Sequence, residues 1–335
     1  MKRLLVLMLL LSSGAVAAAP LDQAGRTEIL TNAARLIETR YVDPANGARI
    51  AAALLNARGK WADVTDPKQF AEQVTRWLRS VSSDGHLGLS YSEEPIAKGD
   101  PAGFTAAEME KWYGAHLNHG IEKIERLPGN IMLLDIRVFP PPQMAGDVFA
   151  AAMTVVAQGD ALIIDLRKNG GGAETAELLM GYLLEGGSPL TGSYDRPSDT
   201  RRYISSPSWV PGRRFGASKP LYVLTSARTF SAAEAVAYSL QALGRATIVG
   251  ETTGGGAHPF EYRRVHEHFA VDLPEGKSIN PVTGTNWQGT GVKPDVEVPA
   301  GQALDTAIDL ARKALKDRSA AASGPPALPS SALGK

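Results

Sequence analysis

The chain contains no cysteine. That absence excludes disulfides, cysteine-ligated zinc, iron–sulfur clusters and a cysteine nucleophile. It has no surplus of charge either, since 35 Lys+Arg balance 35 Asp+Glu. A protein built to hold nucleic acid carries a basic excess, so no nucleic-acid partner is expected. No H-E-x-x-H, G-x-x-x-x-G-K-[ST] or G-x-G-x-x-G pattern occurs. Nothing therefore points to a zinc helix or a nucleotide cradle, and no metal or organic cofactor is expected. The G-x-S-x-G elbow of α/β-hydrolases is missing too. No apolar run reaches the roughly 20 residues that cross a bilayer.

What is present begins with a three-part leader. Met1-Lys2-Arg3 is positive, Leu4 to Leu11 is unbroken and apolar, and Ala15-Val16-Ala17 supplies small residues before Pro20. This is the plan of a secretory signal peptide. It predicts a leader over 1–19, a mature chain from about Ala18, and a periplasmic or secreted protein. A stable membrane anchor after cleavage is not expected. With no cysteine after the run, neither is a lipid anchor. At the other end, 319–335 is rich in Ala, Ser, Pro and Gly. Such a segment buries too little surface to order itself and is expected to be a disordered tail.

Between these ends, 335 residues suggest about two domains. Apolar residues at helical spacing (Ile29, Ala33, Leu36, Ile37; Ile50, Leu54, Leu55; Phe70, Val74, Trp77, Leu78, Val81) predict three helices in a small bundle over 20–85. Asp66-Pro67 marks the start of the third. From Ile121 the period changes. Ile121–Leu127 and Ile131–Val138 around Pro128-Gly129-Asn130 predict a hairpin. Strands at Ala161–Leu166, Leu221–Thr225 and Thr247–Val249 alternate with helices at Asp147–Val156, Ala173–Leu184 and Ala232–Leu243. That alternation predicts an α/β (α+β) domain over 86–318 with a partly parallel sheet.

Three loops carry candidate chemistry. Asp165-Leu166-Arg167-Lys168-Asn169-Gly170-Gly171-Gly172 follows a strand and opens a helix. The Gly170 and Gly171 amides can converge there on a phosphate or a transient oxyanion, or simply form a tight turn. Thr225 to Glu234 has the same strand–turn–helix plan. Ser231 and Glu234 fit an S-x-x-E capping box. The same position also suits a nucleophile, with the Ala232 amide facing an oxyanion. In Ser82-Ser83-Asp84-Gly85-His86-Leu87-Gly88, His86 sits on a loop where a general base would be free to reach a partner. His116 with His119, and His266 with His268, offer only weak metal-site spacing.

Taken together, D-G-H, D-L-R-K-N-G-G-G, L-T-S-A-R-T-F-S-A-A-E, V-G-E-T-T-G-G-G-A-H-P and N-P-V-T-G-T-N-W-Q-G-T-G-V-K-P-D follow one order. They resemble the serine peptidase family of tail-specific (C-terminal processing) proteases, the tricorn core protease and interphotoreceptor retinoid-binding protein. The similarity is strongest to the bacterial retinoid-binding-protein-like branch. It implies a crotonase-like ββα core behind a small N-terminal helical bundle. It also implies a serine-type peptidase acting on a peptide or protein, with Ser231 as nucleophile, His86 as base, and oxyanion donors from Gly170 or Gly171 and Ala232. Gly256 stands where tail-specific proteases carry a catalytic lysine, which excludes a Ser–Lys dyad. The stretch between His86 and Ile121 is too short for the PDZ domain often found in this family. Gln288 replaces the acid of a W-E-G stretch. A neutral amide there would orient the imidazole without an opposing charge, leaving a less basic histidine and a slower serine. That substitution keeps a second reading open, a weak or inactive peptidase-like protein that binds a small apolar ligand or a peptide.

Overall fold

The computed structural model describes residues 20–99 and 104–322. The expected leader lies outside the described residues. In chain order the elements are α1 (Gln23–Arg40), α2 (Pro44–Ala57), α3 (Pro67–Ser82), β1 (Gly88–Tyr91), α4 (Ala106–Tyr113), β2 (Ile121–Leu127), β3 (Ile131–Ile136), α5 (Pro142–Val156), β4 (Ala161–Asp165), α6 (Thr175–Leu183), β5 (Pro189–Asp195) and β6 (Thr200–Ser205). They continue with β7 (Leu221–Thr225), α7 (Ala232–Ala242), β8 (Thr247–Gly250), β9 (Phe260–His266), β10 (Phe269–Pro274), β11 (Gly276–Ile279), β12 (Val296–Glu297) and α8 (Ala303–Ala322).

The central sheet has the order β12-β8-β7-β4-β3-β2. All neighbours are parallel except the β2–β3 hairpin. Period-two alternation gives the strands two buried faces. In β4, Leu162 and Ile164 pack under α5, α6 and α7, while Ala161 and Ile163 pack under α8. Ala303, Ala307 and Ala311 recur every four residues on α8 and are fully buried. With so little side chain between them, helix and sheet lie close. This mixed α/β architecture is the one the alternating pattern predicts. The last helix differs from expectation. It runs on through residues 319–322, the first four of the expected tail, and residues beyond 322 lie outside the described set.

The three N-terminal helices are present. Each opens on an aspartate whose carboxylate accepts a first-turn amide, from Asp22, Asp43 and Asp66. They pack on a second sheet, β1-β10-β9, as well as on one another. Phe70 is fully buried and meets Trp61 at 6.5 Å and Phe269 of β10 at 6.0 Å, both edge-on. A buried carboxylate adds a polar tie. Glu275 accepts from Arg40 Nε of α1 at 2.6 Å and from Arg263 Nε of β9 at 2.9 Å. The N-terminal helical segment is thus fixed by residues about 200 or more positions later, as the 235-position Arg40–Glu275 pair shows. A third sheet has the order β11-β5-β6. Its strands bury few apolar side chains, which explains why periodicity does not reveal them. Among the described residues, no helix is long and apolar enough to cross a membrane.

Replacing Phe70 by Ala removes the ring from both partners at once. The expected loss is about 3–5 kcal/mol in urea unfolding. A loss below about 1 kcal/mol would contradict a shared core between α3 and β10.

Candidate active site

The loops after β4, β7 and β8 leave the carboxyl ends of three adjacent parallel strands. Ligands in open α/β sheets bind at that edge. In the first loop Asp165 and Arg167 pair through two contacts, Arg167 Nε to Oδ1 at 2.9 Å and Nη2 to Oδ2 at 2.6 Å, and Arg167 Nη1 also donates to Ala300 O. These two charges are structural. Asn169 is fully buried. Its Nδ2 donates to Ile136 O at 3.1 Å, and its Oδ1 accepts the Gly171 amide at 2.8 Å. The Gly171 amide is therefore committed to Asn169, which corrects its reading as an oxyanion donor. Gly170 remains on the cavity wall beside Ser231. Gly171 matters for another reason. Its φ is +110°, and a Cβ there would stand 2.7 Å from Ser231 Cβ and 3.0 Å from Ala232 N. Only glycine lets the loop lie against the serine.

Ser231 precedes α7 with φ 54° and ψ −121°. A non-glycine residue occupies this region only when its surroundings hold it there, and such strain clusters at reactive positions. What holds it is Glu234. Ser231 N donates to Glu234 Oε2 at 2.8 Å. The same carboxylate accepts from Gly255 N at 2.7 Å, from Gly256 N at 2.8 Å and from Thr253 Oγ1. Glu234 is fully buried, and burial pushes its carboxyl above the usual range while the four donors pull it back. The S-x-x-E spacing reveals the cap. It does not reveal that one carboxylate also ties down the loop after β8. Ala232 opens the helix, where an amide has no intrahelical acceptor.

His86 sits between the rings of Phe230, at 4.7 Å, and Phe260, at 5.6 Å. Burial drives its pKa down to about 4, against the opposing pull of the Asp84 charge. It is neutral at pH 7, the form that can take a proton. His86 and Ser231 line two adjoining cavities together, of about 290 Å³ and about 1280 Å³. The structure thus brings the imidazole and the hydroxyl to one space.

Gln288 does not complete the pair. Its Oε1 accepts the Ala257 amide at 2.7 Å, and His86 Nδ1 is buried with no hydrogen-bond partner. The reading of Gln288 as the orienting group is corrected on that ground. A different carboxylate lies nearby. Asp84 Oδ1 accepts the His86 backbone amide at 3.0 Å, while Oδ2 accepts from Tyr41 Oη at 2.9 Å and bonds His258 Nδ1 at 2.7 Å. His258 was visible only as part of the A-H-P stretch of the fourth motif. Of the other histidines, His119 bonds Tyr113 O and His268 bonds Ser92 O. His266 packs edge-on against Phe269. Among the described residues, no three His, Asp or Glu side chains group as a metal site would require.

Residues 130–298 match the family model of peptidase family S41. The chain belongs to peptidase family S41. Ser231, the glycine loop and Gln288 lie inside the matched segment, and His86 lies before it. The family's fold is shared by solved structures of low sequence identity. A lipoprotein from Streptococcus agalactiae is 16% identical over 91% of this chain and 100% of that chain, with a TM-score of 0.60. The photosystem II D1 C-terminal processing protease is 15% identical over 82% and 93%, with a TM-score of 0.51. The tricorn protease is 15% identical over 88% of this chain and 37% of that one, with a TM-score of 0.53.

The depressed His86 pKa has a consequence for stability. Unfolded, the imidazole takes a proton near pH 6.5; folded, it resists until about 4. The unfolded state therefore binds more protons between those values, and stability falls as pH falls from 6.5 to 4. Relative to His86→Gln, the wild type should lose up to about 3 kcal/mol across that window. Parallel stability curves for the two proteins would show that the histidine is not held neutral.

Proposed function

We propose that the protein is an exported serine peptidase that cleaves peptide bonds by acyl transfer through Ser231, with His86 as general base. The observation that carries this reading is the meeting of a strained serine, held at a helix start, with a neutral imidazole on the wall of the same cavity. In the first step His86 takes the Ser231 hydroxyl proton, and Oγ bonds to the carbonyl carbon of the substrate. The carbonyl oxygen becomes an oxyanion. The Ala232 amide, at the positive end of α7, and the Gly170 amide stabilise it. The protonated His86 then gives its proton to the leaving amine as the C–N bond breaks. Water, activated by the same imidazole, releases the acyl group and restores the serine. No step calls on a metal or organic cofactor. The leader over 1–19 supports export to the periplasm or beyond.

One observation favours a second reading. His86 Nδ1 has no partner, and Gln288 is occupied with Ala257. The imidazolium formed during acylation would lack a carboxylate hydrogen-bonded to its ring, the usual means of stabilising it. A protein so built would react slowly, or would hold a peptide or a small apolar ligand in the cleft without cutting it.

A fluorophosphonate probe separates the two. Peptidase action predicts labelling confined to Ser231, abolished in Ser231→Ala and slowed by about 10² or more in His86→Ala. An unlabelled wild type, or a label on another serine, would reject the catalytic assignment.

A further inference from the structure

The larger of the two cavities continues outward from Ser231 and His86 to α4. Its walls are unusual for this chain. Among the described residues, nine large hydrophobic side chains are exposed, and four of them (Phe104, Trp112, Leu117 and Phe260) line this one space. Phe104 meets Trp112 edge-on at 4.9 Å and Tyr262 at 5.0 Å. Helix α4 has no buried residue; its ring-bearing side faces the cavity instead of a core. Solvent-facing aromatic clusters of this kind mark binding surfaces. Two of the lining residues, Phe260 and Tyr262, belong to β9, an edge strand of its sheet, and an edge strand can take an extended peptide by strand addition.

We propose that this aromatic chamber is a specificity subsite that takes a bulky apolar or aromatic side chain of an extended peptide. The inference deepens the peptidase reading and rests on it for the reaction, while the binding itself is measurable without catalysis. The probes are an alanine octapeptide and the set made by walking one Phe through it. The wild type should cleave best with Phe at one fixed distance from the scissile bond. Trp112→Ala or Phe104→Ala should cut the Phe-over-Ala ratio of kcat/KM by about three- to tenfold, mostly through KM. An unchanged ratio would overturn the subsite. If the wild type cleaves nothing, the peptidase reading fails. Fluorescein-labelled peptides binding to Ser231→Ala then decide the chamber: tighter binding of a Phe peptide, lost in Trp112→Ala, supports it, and equal binding of all peptides rejects it.

A separate observation concerns the base. Asp84 is almost wholly buried, yet it gathers three donors: the His86 amide, Tyr41 Oη and His258 Nδ1. Gln288 gives His86 no charge. We infer that Asp84, clamped by Tyr41 from the end of α1 and by His258 from the loop after β8, is the positioning carboxylate of this site, acting on His86 through its backbone amide and through space. This too rests on Ser231–His86 chemistry. The charged groups around the imidazole are Asp84, which favours its protonation, and His258 and Arg79, which oppose it. Asp84→Asn should slow fluorophosphonate labelling about tenfold and move the acid limb of the labelling rate to lower pH. His258→Gln, whose amide can still donate to Asp84, should move that limb the other way. Limbs that stay in place, or shift together, would overturn the assignment while wild-type labelling leaves the peptidase reading standing. No wild-type labelling at Ser231 would remove both.

Discussion

The arrangement depends on one buried carboxylate, that of Glu234. An isolated carboxylate inside a protein is expensive, and it is tolerated here because four donors surround it. Those donors come from two places: the serine that opens α7, and the Thr253–Gly256 stretch that follows β8. The same interaction therefore fixes the backbone of Ser231 in its uncommon conformation and holds the neighbouring loop against it. Losing any one donor would leave a buried charge short of a partner, so the two loops stay together or the site comes apart.

Phe230 is the apolar counterpart of that clamp. Its amide donates to Asn169 O at 3.1 Å, which ties the serine loop to the glycine loop. Its ring packs on His86. Three glycines surround it, and a Cβ at Gly85, Gly254 or Gly256 would collide with the ring. The glycines of the D-G-H and G-G-G stretches thus have a steric purpose. They admit one aromatic side chain that brings three distant loops and the imidazole into contact.

Much of the frame was legible in sequence because it is local. The hairpin, strands β4, β7 and β8 of the central sheet and α5, α6 and α7 follow from apolar spacing and from Gly, Pro and Asp at their ends. The order of the five motifs pointed to a family whose membership the 130–298 match establishes. The polar strands β5, β6 and β11 were not legible, since no apolar alternation marks a strand that buries little. Gly171 and Gln288 show the same limit at the site. Their residue types suited the roles assigned to them, but each group is occupied by a close neighbour, Asn169 in one case and Ala257 in the other.

Sequence by itself determined which chemical groups this protein can use: a serine at a helix start, a loop histidine, flexible glycine amides, and neither thiol nor metal-binding helix. Those are properties of residue type and of spacing within a few positions. Tertiary structure decided which of them are free and which are spent. It left His86 neutral with no hydrogen bond to its Nδ1, set Asp84 and His258 behind it, and turned the exposed rings of Phe104 and Trp112 toward the same space. Such outcomes depend on hydrogen bonds and desolvation between residues that lie as many as 174 positions apart, as Asp84 and His258 do, and no local pattern encodes a contact across that distance.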